Sequence, residues 1–126
     1  RPPRSTLFPY TTLFRSLGRG FVLPGREREK DRDAALSAWE QARDAVLSGR
    51  FRLVVLDELT YLFRYGFLEV GEALRVFRER PENVHVVVTG RGAPQELVEA
   101  ADLVTRMDEV KHPLSAGTRA QEGIEF

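Results

Sequence analysis

Arg52-Leu-Val-Val-Leu-Asp-Glu-Leu-Thr60 runs four apolar residues, Leu53 to Leu56, straight into two carboxylates, Asp57 and Glu58. An unbroken apolar run is what a strand buried on both faces of a parallel sheet requires, whereas a half-exposed strand alternates. Side chains just beyond the carboxyl end of such a strand sit where open α/β sheets bind ligands. Adjacent acids at that place have a recurrent use: they hold Mg²⁺ and its waters against nucleotide phosphates. The competing reading is that one of them caps the turn or helix that follows.

A second β-branched run, Val84-His-Val-Val-Val-Thr89, ends in Gly90-Arg91-Gly92. Between the two runs lie a short helical or turn segment, Leu59 to Tyr65, stopped by Gly66, and a helix over Glu69 to Glu79. Val70, Ala73, Leu74 and Phe77 make the apolar stripe of that helix, and Pro81 prevents its extension. Upstream, Arg26 to Asp33 is a charge run that reads as a solvated helix start. From about Asp31 the period is helical, with Ala35, Trp39, Ala42 and Val46 on one face. Asp31 and Asp33 suit the positive end of the helix dipole, and Gly49 can end the helix in a left-handed turn. Trp39 belongs to the packed stripe, and His85 is a strand residue.

Downstream, Pro94 suits the first turn of a third helix reaching about Ala101. Leu103 to Met107 reads as a third strand, with Glu109 to Lys111 leading towards a fourth. From Pro113 the chain is small, polar and mostly irregular. Strands alternating with helices predict an α/β fold with a parallel sheet, flanking helices and right-handed crossovers. Three or four strands are few for a sheet covered on both faces, so amino-terminal strands are expected to be missing. The edge this leaves is an aggregation hazard, and poor solubility is expected.

Composition narrows the function classes. The 126 residues suffice for one domain, and 19 basic residues cancel 19 acidic ones. No global field therefore favours nucleic acid or an anionic membrane. With no cysteine, disulfides, Cys-ligated metals and thiol catalysis are all excluded, which fits a reducing cytoplasm. No apolar run reaches transmembrane length. His85 and His112 are too few for a histidine-built metal site.

Residues 1–16 read differently from the rest. They hold three of the seven prolines and no acid, and they repeat Thr-Leu-Phe at Thr6 and Thr12. Thr6 to Ser16 resembles the translation of a common short-read sequencing adapter. The segment is therefore expected to be a disordered, non-native artefact. Native sequence is expected from Leu17, with residues 17–126 forming the carboxyl-terminal part of one truncated domain. Gly18 to Gly25 is a glycine-rich loop around a short extended piece, Gly20 to Leu23.

Taken together, the segments from Gly18 onward resemble the P-loop, RecA-like ATP:corrinoid adenosyltransferases. The resemblance rests on the order and spacing of several stretches: Gly18 to Phe21; Arg26 to Glu29 with Ala38-Trp39-Glu40; Leu53 to Thr60; Tyr65 to Leu68; Arg80-Pro81; Val86 to Ala93; Ala101 to Val104. Val110 to Pro113, Ala116-Gly117, Ala120-Gln121 and Gly123 to Phe126 complete it. It implies a partial RecA-like P-loop fold whose first strand and phosphate loop are missing. No G-x-x-x-x-G-K-[ST] string occurs in the chain. The backbone amides, Lys and hydroxyl of that loop hold the triphosphate and Mg²⁺, so the polypeptide as written is expected not to turn over, although its longer parent would.

The reaction the resemblance implies is attack of cobalt(I) of a corrinoid on the ribose 5′ carbon of ATP, with triphosphate leaving, in cobalamin biosynthesis or salvage. Cobalt(I) is itself a strong nucleophile, so the protein has to align the reactants and stabilise charge on the leaving group. The resemblance gives Asp57 and Glu58 the catalytic, Mg²⁺-holding role, with Glu58 the direct ligand. Thr89, Gly90, Arg91 and Gly92 would meet the nucleotide, because glycines let backbone approach closely and arginine forks onto phosphate. Phe21 and Leu23 would face the corrin. The family has an aromatic where Leu23 stands, and leucine excludes water without covering the ring. Lys111, His112 and Arg119 match the nucleotide-proximal tail. The implied partners are ATP and the corrinoid, in a cytoplasmic homodimer with no nucleic acid and no membrane. Two other classes stay open: a generic RecA-like P-loop ATPase and a non-catalytic nucleotide-binding remnant.

Overall fold

The structure, a computed structural model, describes residues 26–119. Among these, the order is α1 (Arg26–Leu47), β1 (Leu53–Leu56), α2 (Thr60–Arg64), α3 (Val70–Glu79), β2 (His85–Val88) and α4 (Gln95–Ala100), followed by a 3-10 turn at Pro113–Ala116. The expectations for residues 1–16 and for the glycine-rich loop bearing Phe21 and Leu23 lie outside the described residues. No described helix is long and apolar enough to cross a membrane.

The alternating α/β pattern forms, but β1 is not buried on both faces as its unbroken apolar run predicts. β1 and β2 pair in parallel, with Leu53 opposite His85 and Leu56 opposite Val88. Successive strand residues point to opposite faces. Val54 and Leu56 are buried on the face that meets the helices, and Val86 and Val88 pack beside them. α1 packs on β1 and on α3, and α4 packs on α3. Leu53 and Val87 share the other face and are each 44% exposed. The sheet described is thus covered on one face only, where a parallel sheet is normally covered on both.

The charge run is helical, so α1 starts at Arg26 and is longer than the apolar period alone predicts. Its stripe is buried at Ala35, Ala38, Trp39, Ala45 and Val46. Trp39 meets Phe77 edge-on at 6.3 Å between centroids, and its indole N–H donates to Glu72 Oε1 at 2.7 Å, fastening α1 to α3. Gly49, at φ 65°, ends the α1 turn in the left-handed conformation that glycine adopts without Cβ strain. In α3 the buried residues are Ala73, Leu74 and Val76, while Phe77 stays half-exposed beside the cluster. Arg80 follows that helix: its guanidinium donates to the carbonyls of Phe77 and Val84, tying the end of α3 to the approach to β2.

One expectation fails. Leu103 to Met107 is not a strand, and Glu109 to Lys111 does not lead into another; the described sheet holds β1 and β2 alone. Leu103, Val104, Met107 and Val110 are 84%, 55%, 93% and 97% exposed. A strand exists only against a neighbour that takes its hydrogen bonds, so an apolar, β-branched composition creates no strand where no neighbour is within reach.

Candidate functional site

Parallel pairing in register brings the two carboxyl ends of β1 and β2 side by side. Asp57 and Glu58 leave β1 beside Thr89, Gly90, Arg91 and Gly92 leaving β2, and all six are exposed. The alternative reading of the acids, as caps of the next helix, does not hold. The residue at the N-cap of α2 is Leu59, with no side-chain cap hydrogen bond. The Asp57 carboxylate instead accepts the hydroxyl of Thr89, across the gap between the strand ends.

Glu58 takes a backbone conformation that side chains disfavour. At φ 60° it alone among the described non-glycine residues has a positive φ. For an L-residue that conformation costs about 1–2 kcal/mol, and such outliers persist where surrounding bonds hold them. Here the Glu58 N–H donates to Thr89 Oγ1 at 3.0 Å, and the Glu58 carbonyl accepts from Tyr61 N–H at 3.1 Å. Among the described residues its carboxylate has no hydrogen-bond or ion-pair partner, and neither has the Arg91 guanidinium.

Beneath the strand ends lies Thr60, a residue the sequence reading did not single out. It opens α2, is 2% exposed, and its Oγ1 has no partner among the described residues. Gly90, at φ 141°, lies directly against it: a Cβ there would overlap Thr60 Oγ1 and stand 2.9 Å from Thr60 Cβ. Both the backbone angle and the contact require glycine. Gly90→Ala is expected to destabilise the chain by more than ~1 kcal/mol and to displace the start of α2. Urea unfolding together with the amide shifts of Thr60 and Tyr61 checks this; an unchanged midpoint with unmoved shifts would contradict it.

The two acids suit one metal type. Among the described residues there is no group of three or more His, Cys, Asp or Glu able to cage a metal. Mg²⁺ needs no such cage, since it keeps several waters and takes one or two carboxylates together with substrate phosphates. A free Glu58 carboxylate and an Asp57 carboxylate anchored through one oxygen meet that requirement.

The tail residues are placed differently. Lys111, His112 and Arg119 are exposed, and no hydrogen bond or ion pair among the described residues joins them to the strand ends. The His112 Nδ1 accepts from Leu114 N–H at 3.1 Å and so caps the 3-10 turn, with Pro113 in its first positions. Phe21 and Leu23 lie outside the described residues.

Comparison with known proteins adds the family. The model of the ATP:corrinoid adenosyltransferases BtuR/CobO/CobP matches residues 5–126, beginning inside the stretch set apart above. A corrinoid adenosyltransferase of Sinorhizobium sp is 42% identical over 114 residues, covering 90% of this chain and 53% of the relative. One of Pseudomonas aeruginosa is 42% identical over 119 residues, covering 94% and 59%. One of Escherichia coli K12 is 35% identical over 123 residues, covering 98% and 63%. The chain therefore spans less than two thirds of the length of each of these relatives.

Proposed function

The chain belongs to the family of ATP:corrinoid adenosyltransferases BtuR/CobO/CobP, and from that premise we propose that its two strand ends form the MgATP side of an adenosyl-transfer site. The observation that carries the reading is the pairing of β1 with β2. It sets a carboxylate at Glu58 and a guanidinium at Arg91, neither with a partner among the described residues, on one exposed edge.

The chemistry is displacement at carbon. A cobalt–carbon bond forms at the ribose 5′ carbon, the carbon–oxygen bond to triphosphate breaks, and its electron pair leaves with triphosphate. Glu58 and Asp57 would hold Mg²⁺, which when bound would supply positive charge to the departing phosphates. Arg91 offers planar donors to phosphate oxygens whose charge grows as the bond breaks. Gly90 and Gly92 keep the loop low enough for backbone to approach the nucleotide. No general base is required, since the nucleophile carries no proton to remove. The wider reading is a cytoplasmic enzyme of cobalamin biosynthesis or salvage, dimeric in its longer form, with Phe21, Leu23, Lys111, His112 and Arg119 completing the two substrate sites.

The 126 residues contain no Gly-rich Lys-Ser/Thr loop, so the chain alone is expected to release no triphosphate from ATP and cob(I)alamin. Joined in frame to the part of the Pseudomonas aeruginosa relative that it does not match, which the resemblance expects to carry that loop, it should yield adenosylated corrinoid and triphosphate one for one. Adenosylation by the chain alone would defeat the expected inactivity. ADP and phosphate formed without corrinoid would favour the ATPase reading.

A further inference from the structure

Three hydrogen bonds converge on one residue at the end of β2. Thr89 N–H donates to the Leu56 carbonyl at 3.1 Å, extending the ladder by one step. Its hydroxyl donates to Asp57 Oδ1 and accepts from Glu58 N–H at 3.0 Å. A threonine hydroxyl has a single hydrogen to give. With that hydrogen on Asp57, Thr89 has nothing to donate to a phosphate oxygen, which only accepts. The role that the resemblance implies for it, direct nucleotide contact, therefore conflicts with its bonding.

We propose that Thr89 is a positioning residue: its hydroxyl locks Glu58 in the left-handed backbone conformation and Asp57 beside it, setting the aim of the acid pair from the neighbouring strand. Both halves of the lock use the same oxygen, so Asp57 and Glu58 move together or not at all. The left-handed φ of Glu58 breaks the extended course of β1, and its N–H is taken up by the Thr89 hydroxyl. The functional meaning of the lock rests on the reading of the strand ends as the MgATP edge. The lock itself does not, since it is complete without nucleotide, metal or corrinoid.

The test uses the full 126-residue chain with no ligand present. Backbone ¹³C shifts and amide exchange of Glu58 are compared in wild type, Thr89→Val, Thr89→Ala and Thr89→Ser, with the Val54 and Val84 amides as the measure of an intact fold. In Thr89→Val and Thr89→Ala the Glu58 amide should exchange about tenfold faster and lose its left-handed shift signature. Thr89→Ser keeps the hydroxyl and should restore both. A general loosening of the strand would not be rescued by serine in this way. If Thr89→Val and Thr89→Ala leave the Glu58 signature intact, the proposal is overturned. It is also overturned if serine loses the signature as fully as they do. Failure of the adenosyl-transfer reading would leave all of these outcomes unchanged, so the two are separable.

Discussion

Glu58→Ala, in a chain that carries the phosphate loop, is expected to lower MgATP-dependent adenosyl transfer about a thousandfold, the equivalent of ~4 kcal/mol of transition-state stabilisation. The carboxylate has no structural partner among the described residues, so its removal breaks no contact that holds the fold. Urea midpoints should move little, as for other exposed substitutions, within about 0.5 kcal/mol. Glu58→Gly sharpens the distinction. Glycine accepts φ 60° without the strain that glutamate bears, so this variant should be as stable as the wild type or more so, by up to about 1 kcal/mol. It should nevertheless be as inactive as alanine. A residue that costs stability in the folded chain and is needed for turnover has the signature of a functional site. Wild-type turnover in Glu58→Ala, assayed as corrinoid-dependent triphosphate release, would remove the assignment.

The largest stability effect is expected at Trp39. The ring is 2% exposed, meets Phe77 edge-on and donates to Glu72. Trp39→Ala leaves a cavity between α1, α3 and β1 and should cost about 3–5 kcal/mol. Domains of this size are stable by roughly 5–15 kcal/mol in all, so the variant would be largely unfolded under mild conditions. Trp39→Phe separates the two contributions. It retains most of the apolar burial and loses the bond to a charged acceptor, at roughly 1.5–3 kcal/mol. Equilibrium urea unfolding of the three chains checks the order. Equal losses for alanine and phenylalanine would show that the indole N–H, not the packing, dominates.

Much of this arrangement is legible in the residues, and the reasons are local. Leu53 to Leu56 and Val86 to Val88 form strands because β-branched and apolar runs suit a ladder with one face against the helices. Parallel pairing then puts Asp57 beside Thr89 without further information. Trp39 belongs to the core because its helix spacing matches Ala35 and Val46. What the residues conceal depends on partners remote in sequence. Leu103 to Met107 has the composition of a strand but no neighbour among the described residues to complete one. The 60° φ of Glu58 is held by a hydroxyl 31 positions away. Thr60 looks like an ordinary first-turn threonine, and only its contact with Gly90 reveals why that glycine has to be glycine. Val76 is buried where the helical stripe favours Phe77, because the large ring leans against the edge of the cluster.

Manganese relaxation at the strand ends is the most direct examination of the acid pair. In the loop-carrying chain with ATP, Mn²⁺ should broaden the amides of Asp57, Glu58 and Thr89 saturably, and excess Mg²⁺ should reverse it. The Asp57→Asn/Glu58→Gln double variant leaves only the phosphates as ligands, so the Mn²⁺ concentration at half-broadening should rise at least about tenfold while the ATP remains bound. An unchanged half-broadening concentration in the double variant, or strand-end amides left sharp when Mn²⁺ and ATP are saturating, would contradict the account.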